Sequence, residues 1–293
     1  MIATRLRSGE LLRLRHGVYL AASAWPDDPA AQHVVLARAE VAANPGAAIS
    51  RQSAAALWRL PTPDFEPWHD APVSVTLPAG AGFRSWTNGA VHHVERLSTE
   101  DVARDPAGYP VTSVARTAAD LAVDRELPEE LVILDAAARM LCAAFVAQPR
   151  RSDYANPRLV EAARGRLSAV ARALQRTGLT TAIELTDPAR ESPAESLTAG
   201  YFHLGGVPKP LFNPPISTPV GVLFPDCLWP EQRLIGECDG AVKYKDSATI
   251  LREKDREQVL RDLDFGFVRW QPKELRFDPY IVVRRVLRAL DAC

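Results

Sequence analysis

The last third of this chain places four carboxylates where carboxylates do chemistry. Glu195 falls in the first turn of a helix that reads SPAESLTAGYFHLGG from Ser192. Asp226 follows Pro225 on a short apolar run, and Glu237 and Asp239 close the run RLIGECDG. In a strand, residues two apart share a face, so Glu237 and Asp239 would stand side by side. Like charges so placed repel, and burial sharpens the conflict. A divalent cation between them resolves it. Mg²⁺ takes oxygen ligands, keeps waters, and binds through a few carboxylates plus substrate phosphate. Such an ion polarises a phosphoryl oxygen, generates hydroxide and stabilises the leaving oxygen. A lysine nearby offsets transition-state charge, and Lys243 follows three residues after Gly240. Without the cation, one acid should hold its proton to higher pH. The expected chemistry is phosphodiester hydrolysis with Mg²⁺ or Mn²⁺. The candidate metal ligands are Asp226, Glu237, Asp239 and Glu195, and the candidate catalytic residues are Glu195, Asp226, Glu237 and Lys243.

Each of these residues has a plainer role open to it. Ser192-Pro-Ala-Glu195 is also a capping box, in which Glu195 bonds back to the helix start. Asp226 can open a turn, Asp239-Gly240 can be one, and Lys243 and Lys245 can be surface lysines. What favours a site is that four acids recur in this order on these elements. Cys238, between two of them, would face away in a regular strand and is assigned no chemistry.

The elements that position these residues can be read from pattern. Ser192 caps a helix, Pro193 takes its first position, and Gly205-Gly206 stops it. KPLFNPPIS, GVLFPDCLW and RLIGECDG read as strands, SATILREKDREQVLRDLDFG as a charged helix, FVRWQP as a strand and DPYIVVRRVLRAL as a helix. The order α-β-β-β-α-β-α describes a compact α/β unit.

At the other end, TRLRSGELLRLRHGVYLAA predicts a short helix stopped at Gly9, then a small hairpin turning at His16-Gly17. Arg5, Arg7, Arg13 and Arg15 face a single acid, Glu10. A helix followed by a basic hairpin is the second half of a winged helix-turn-helix, whose basic residues contact phosphates. A solvated amphipathic terminus is the alternative. Residues 30–60 read as two helices with a stop at Pro61. VSVTLP and AVHHVERL, joined through Thr87-Asn88-Gly89, read as a hairpin. His92 and His93 are adjacent, so in a strand they cannot share a site. VTSVARTAADLAV and ELPEELVILDAAARML read as helices, 147–157 as a linker, and the Arg-rich run PRLVEAARGRLSAVARALQ as a helix with a solvated face.

Composition sets bounds on this reading. The chain has 293 residues, so two domains are expected, and its net charge of −1 gives no global polybasic signal for nucleic acid. No apolar run is long enough to span a bilayer, and no basic-then-apolar leader opens the chain. The four cysteines form no C-x-x-C pair, which argues against structural zinc and a disulfide framework and for a reducing cytoplasm.

Several of these motifs carry a resemblance. SPAES (192–196), Asn213, FPDCLW (224–229), IGECDGAVKY (235–244) and EKDREQVLRDLDFGFVRW (253–270) resemble the very-short-patch-repair-endonuclease-like branch of the PD-(D/E)XK nuclease superfamily. The resemblance implies a restriction-endonuclease-like α-β-β-β-α-β core over 191–293. It matches Glu195, Asp226 and Glu237 to the helix glutamate, the PD aspartate and the third-strand acid. Asp239 matches the branch's E-x-D-G and stands where the wider superfamily has the E-x-K lysine. Lys243 is the candidate for the displaced lysine. Arg256 on the following helix is a second candidate for phosphate contact, and Lys245 a further nucleic-acid contact.

The first half resembles the abortive-infection AbiEi-type antitoxin arrangement. LRLRHGVYLAA is similar to its winged-helix hairpin, and ISRQSAAALWRLP, VSVTLP and GYPVTSVARTAADLA to its second domain. The usual first helices of the wing have no counterpart, since the chain starts almost at the recognition helix. Either the start is placed late or the wing is incomplete. The expected division is a partial winged helix (1–22), a mixed α+β domain (23–146), a linker and helix (147–190) and the nuclease-like domain (191–293). The expected activity is metal-dependent DNA cleavage, with DNA as partner and an N-terminal targeting module. The alternative is a non-catalytic DNA-binding regulator or antitoxin with a cognate toxin, which uses the nuclease fold as scaffold. Action on RNA stays open, because nothing reports on the 2′-hydroxyl. A homodimer also stays open, because nucleases that cut both strands often pair.

Overall fold

The structure, a computed structural model, describes residues 2–64, 66–79, 89–239 and 247–292, with side chains left out over 247–253. It is a mixed helix-and-sheet protein with several separate sheets. The chain opens with α1 (Ile2–Arg7) and the antiparallel hairpin β1 (Leu11–Arg15) and β2 (Val18–Ala21). Gly9 and Gly17 both have φ of 76°, the left-handed turn conformation that glycine adopts without cost. Asp28 caps α2 (Pro29–Ala43), which packs on this hairpin.

A five-stranded sheet follows, in the order β5-β4-β3-β7-β6. Its strands are β3 (Ala48–Ile49), β4 (Val73–Pro78), β5 (Ala90–Glu95), β6 (Val102–Arg104) and β7 (Pro110–Thr112). The expected hairpin between VSVTLP and AVHHVERL is not what forms. β4 and β5 pair in parallel, Val73 beside Ala90 through Pro78 beside Glu95. An Asn-Gly hairpin turn reverses the chain within two residues. Here residues 79–89 separate the strands, enough for the chain to return to the starting edge. Thr87 and Asn88 lie outside the described residues.

The period of two in β5 sorts its two histidines as expected. His92 shares a face with Val75 and bonds Glu40 of α2 at 2.7 Å. Glu95, of the opposite parity, bonds Arg51 of α3 (Arg51–Trp58) and Arg116 of α4 (Val114–Ala122). So α2 covers one face of the sheet and α3 and α4 the other. On that second side, burial and the Arg51 charge push His93 down to about 4, so it is neutral at pH 7.

α4 also joins a helical layer with α5 (Leu127–Ala144), α6 (Pro157–Ala173) and α7 (Thr180–Leu185). Its core includes Leu131, Ile133, Leu134, Leu167 and Leu179. The segment expected as a linker carries a short 3₁₀ turn, Arg151–Ala155, that packs against α5 and α6.

α8 (Pro193–Leu204) begins as predicted, with Ser192 at its N-cap and Pro193 in its first turn. A four-stranded sheet follows, in the order β13-β12-β11-β8, built from β8 (Leu211–Phe212), β11 (Cys227–Trp229), β12 (Leu234–Cys238) and β13 (Gly266–Trp270). The two runs read as single strands are each split. β9 (Ile216–Thr218) and β10 (Gly221–Leu223) separate as a two-stranded ribbon. Prolines explain this, since Pro214, Pro215 and Pro225 stand at the breaks and cannot donate to a ladder. α9 (Ser247–Arg261) connects β12 to its parallel partner β13. The chain closes with a short helix that sequence reading missed, α10 (Pro272–Phe277), and then α11 (Pro279–Asp291).

One face of this second sheet carries Phe212, Cys227, Trp229, Val268 and Trp270 and packs on α8 and α11. The other carries Leu228 and Ile235 and packs on Leu260 of α9. Cys142, Cys227 and Cys238 are free, and no described helix is long and apolar enough to cross a membrane.

α8 meets the helical layer where Gly200 sits on Pro128 of α5. A β-carbon at Gly200 would come within 2.4 Å of the Pro128 Cα, a backbone atom that cannot rotate away. Gly200→Ala is therefore expected to lower stability by about 1–3 kcal/mol, as overpacking does. Urea unfolding would show it as an earlier midpoint, and an unchanged midpoint would mean that the two helices separate at no cost.

Candidate functional site

The acids are positioned by strand register. Cys227 pairs with Gly236 across the antiparallel β11–β12 ladder, so one step further Asp226 lies opposite Glu237. On the parallel side, Glu237 pairs with Arg269 of β13. Asp226, Glu237 and Arg269 thus share the α9 face at the end of three adjacent strands. The close fit beneath them depends on Gly236. A β-carbon there would meet the Cys227 Sγ at 2.5 Å and the Trp270 ring at 2.7 Å.

Asp226 and Glu237 are in conflict. Burial raises both above the ordinary carboxylate range, and Glu237, pushed up further by the Asp226 charge, reaches about 7. Asp226 accepts a hydrogen bond from the Cys238 backbone N–H at 2.7 Å. Arg256 of α9 lies 3.7 Å from Glu237 and donates to the Phe224 carbonyl. These contacts do not bring Glu237 back to its ordinary value.

Glu195 approaches from the other side of the sheet. It is 7% exposed and well bonded. Its Oε1 accepts from the Ser192 hydroxyl at 2.8 Å, and its Oε2 from the Glu191 N–H at 3.1 Å and the Asn213 amide at 2.6 Å. The contact with Ser192 is half of the capping arrangement, because the Ser192 hydroxyl also accepts from the Glu195 N–H. Burial, and secondarily the Asp226 charge, raises the Glu195 carboxyl. Asp239 is exposed at the strand end, with its carboxylate 3.7 Å from Arg269. Cys238 lies on the opposite strand face from Glu237, and burial and the surrounding acids push its thiol up to about 12.

The four acids therefore do not form one shell. Asp226 and Glu237 come together, Glu195 reaches them through Asn213 and its field, and Asp239 is turned over to Arg269. Among the described residues no three His, Cys, Asp or Glu side chains are grouped to hold a metal ion. Lys243 and Lys245 lie outside the described residues. The donor set that remains is two carboxylates that repel one another and an all-oxygen surround. That suits a hard cation, since Mg²⁺ takes one or two carboxylates and completes its shell with water and phosphate.

Two residues of this site had no role in the sequence reading. Asn213 closes β8 at a left-handed φ of 49°, and its N–H donates to the Asp226 carbonyl at 3.0 Å. Arg151, from the segment read as a linker, donates to the Asn213 side chain at 2.7 Å and to Glu191 at 3.0 Å, and lies 4.3 Å over the Phe224 ring. Its charge lowers Asp226. Asn213 was visible as part of the nuclease-like pattern, whereas nothing in the sequence marks Arg151.

The N-terminal arginines divide. Arg5 pairs with Glu10 at 3.1 Å and Arg13 with His16 at 2.9 Å, and both are exposed, as is Arg7. Arg15 is different: its side chain is 10% exposed and is paired with the buried Glu40. It fastens the hairpin to α2.

No family model matches the chain. It is similar to two proteins of Mycobacterium tuberculosis, the uncharacterized protein MT2308 of strain CDC 1551 / Oshkosh and the uncharacterized protein Rv2248 of strain ATCC 25618 / H37Rv. Each is 28% identical over 292 residues, covering 98% of this chain and 95% of the relative. The likeness thus runs through both halves.

Proposed function

We propose that the C-terminal unit is a divalent-cation-dependent phosphodiesterase that cleaves DNA, as its resemblance to the PD-(D/E)XK nucleases implies. The observation that carries this reading is the Asp226–Glu237 pair. Two carboxylates set opposite one another at a strand end, with Glu237 raised to about 7, lack positive charge. Asp226 and Glu237 would hold Mg²⁺ or Mn²⁺. When bound, such an ion supplies a hydroxide nucleophile and charge stabilisation at phosphorus. Glu195 orders Asn213, which in turn fixes the backbone of Asp226. Arg256 and Arg151 stand beside the acids as phosphate contacts, and Lys243 remains the proposed transition-state lysine. Arg5, Arg7 and Arg13, exposed on the N-terminal helix and hairpin, would hold DNA through its phosphates.

A second reading is favoured by one observation. Asp239 occupies the E-x-K lysine position, and Arg256 already places a cation beside Glu237. In that case the unit is a scaffold, and the protein is a DNA-binding regulator or antitoxin.

Purified protein on supercoiled plasmid and on single-stranded DNA, with Mg²⁺, Mn²⁺ or EDTA, separates the two. Metal-dependent nicking that Asp226→Ala abolishes supports the nuclease. DNA binding that persists in EDTA, with no cleavage under either metal, supports the regulator.

A further inference from the structure

A separate cavity lies behind β8, between the helical layer and the second sheet. Its walls include Leu131 of α5, Leu185 of α7, Phe202 of α8 and Phe212 of β8, and its volume is about 70 Å³. This is enough for a few waters or a small organic molecule. The walls are mainly apolar, and every charged or titratable side chain on them is basic: Arg190, His203 and Lys209. His203 and Lys209 are exposed at the rim.

Arg190 is the unusual member. It is 3% exposed, and its guanidinium lies 5.1 Å over the Phe212 ring. One nitrogen, Nη2, donates to the Leu185 carbonyl. Nε lies 3.2 Å from the Asp135 carboxylate without the geometry of a hydrogen bond, and Nη1 has no partner. A buried guanidinium with unmet N–H groups costs stability, and native proteins rarely leave one so. A ligand acceptor at this cavity would satisfy it.

We propose that this cavity binds a small organic carboxylate with a short apolar body, its carboxylate on Arg190 and its body against Leu131, Leu185, Phe202 and Phe212. The walls decide the ligand class. An inorganic phosphate dianion would lose water to apolar surface with few donors in return, and the nearby Asp135 would repel its second charge. An uncharged molecule of the same shape would leave Nη1 unmet. A monoanion with an apolar body answers both demands, and Lys209 at the rim draws it in.

Titration calorimetry on the full chain tests this, with butyrate, hexanoate and benzoate against 1-butanol, 1-hexanol, benzyl alcohol and inorganic phosphate. The carboxylates are expected to bind at least about tenfold more tightly than the matched alcohols, the discrimination that one charge-assisted hydrogen bond supplies. Arg190→Met should remove that preference. Because Arg190 is buried beside Asp135, that variant is paired with Ala199→Leu, which fills the cavity from α8 and keeps the arginine. Ala199→Leu should lose carboxylate binding while melting as a folded protein. Carboxylates no tighter than alcohols, phosphate binding in their place, or binding that survives Ala199→Leu would each overturn the proposal.

Discussion

Glu237→Gln is expected to make the metal-free protein more stable at pH 8 while it abolishes metal-dependent cleavage. The folded pKa of Glu237 is about 7 against an ordinary 4.5. Between those values the folded chain keeps a proton that the unfolded chain has released. Stability therefore falls as pH rises through that interval and is level above it. The neutral amide removes the burial cost and the repulsion from Asp226. It also gives up the attraction of Arg256 and Arg269, but the net upward shift shows that this attraction is the smaller effect. The melting temperature in EDTA at pH 8 should rise by roughly 2–5 °C, and the gain should vanish near pH 5, where both proteins are neutral at this position. Cleavage should fall by about a hundredfold or more, as for loss of a group that acts on transition-state charge. Mn²⁺ should raise the melting temperature of the parent and not of the variant. A variant that melts lower than the parent at pH 8 would show that Arg256 already balances this acid, which is the regulator's arrangement. Stability gained where function is lost is a common signature of a working site.

Arg116→Met should cost far more, and in the other half of the molecule. Arg116 is completely buried. It donates to Asp120 at 2.8 Å, to the Arg96 carbonyl at 3.0 Å and to Glu95, and lies 3.5 Å from Asp101. It ties α4 to the strand end of β5. Removing one partner of such a pair leaves the others buried with unbalanced charge, a loss of about 3–5 kcal/mol. Burial already raises the Asp120 carboxyl, and Arg116 is the main force opposing that rise. Without Arg116 the folded pKa of Asp120 climbs further. The variant should therefore lose more stability at pH 8 than at pH 5, where Asp120 can protonate. Urea unfolding at the two pH values reads this directly. Arg116→Met/Asp120→Asn should recover part of the loss at pH 8. An equal loss at both pH values would mean that shape, not charge, is what Arg116 supplies.

Much of the local structure was legible in the sequence because local chemistry dictates it. Ser192 and Pro193 start α8, Gly9 and Gly17 turn the N-terminal chain, and the apolar periods of α4 and α5 mark buried helices. The alternation in β5 correctly separates His92 from His93. The acidic strand end at Glu237 was visible too, as was the physical problem it poses.

What the sequence does not contain is pairing over distance. The direction of β5 against β4 follows from how residues 79–89 return, and an Asn-Gly dipeptide is consistent with a hairpin that does not form. That Asp226 faces Glu237 depends on the β11–β12 register, and a shift of one residue would send one acid into the tryptophan-lined core. Glu195, Asp226, Glu237 and Asp239 look equivalent along the chain. Only the fold sets two together, gives one to Asn213 and one to Arg269. Arg15 reads as a DNA contact until Glu40 is found against it, and Arg151 reads as linker until it is found beside Asn213. The reason is the same in each case. Propensity, caps and turns act within a few residues and can be read in order. The partner of a charged side chain is decided by whichever distant segment the hydrophobic cores bring alongside it.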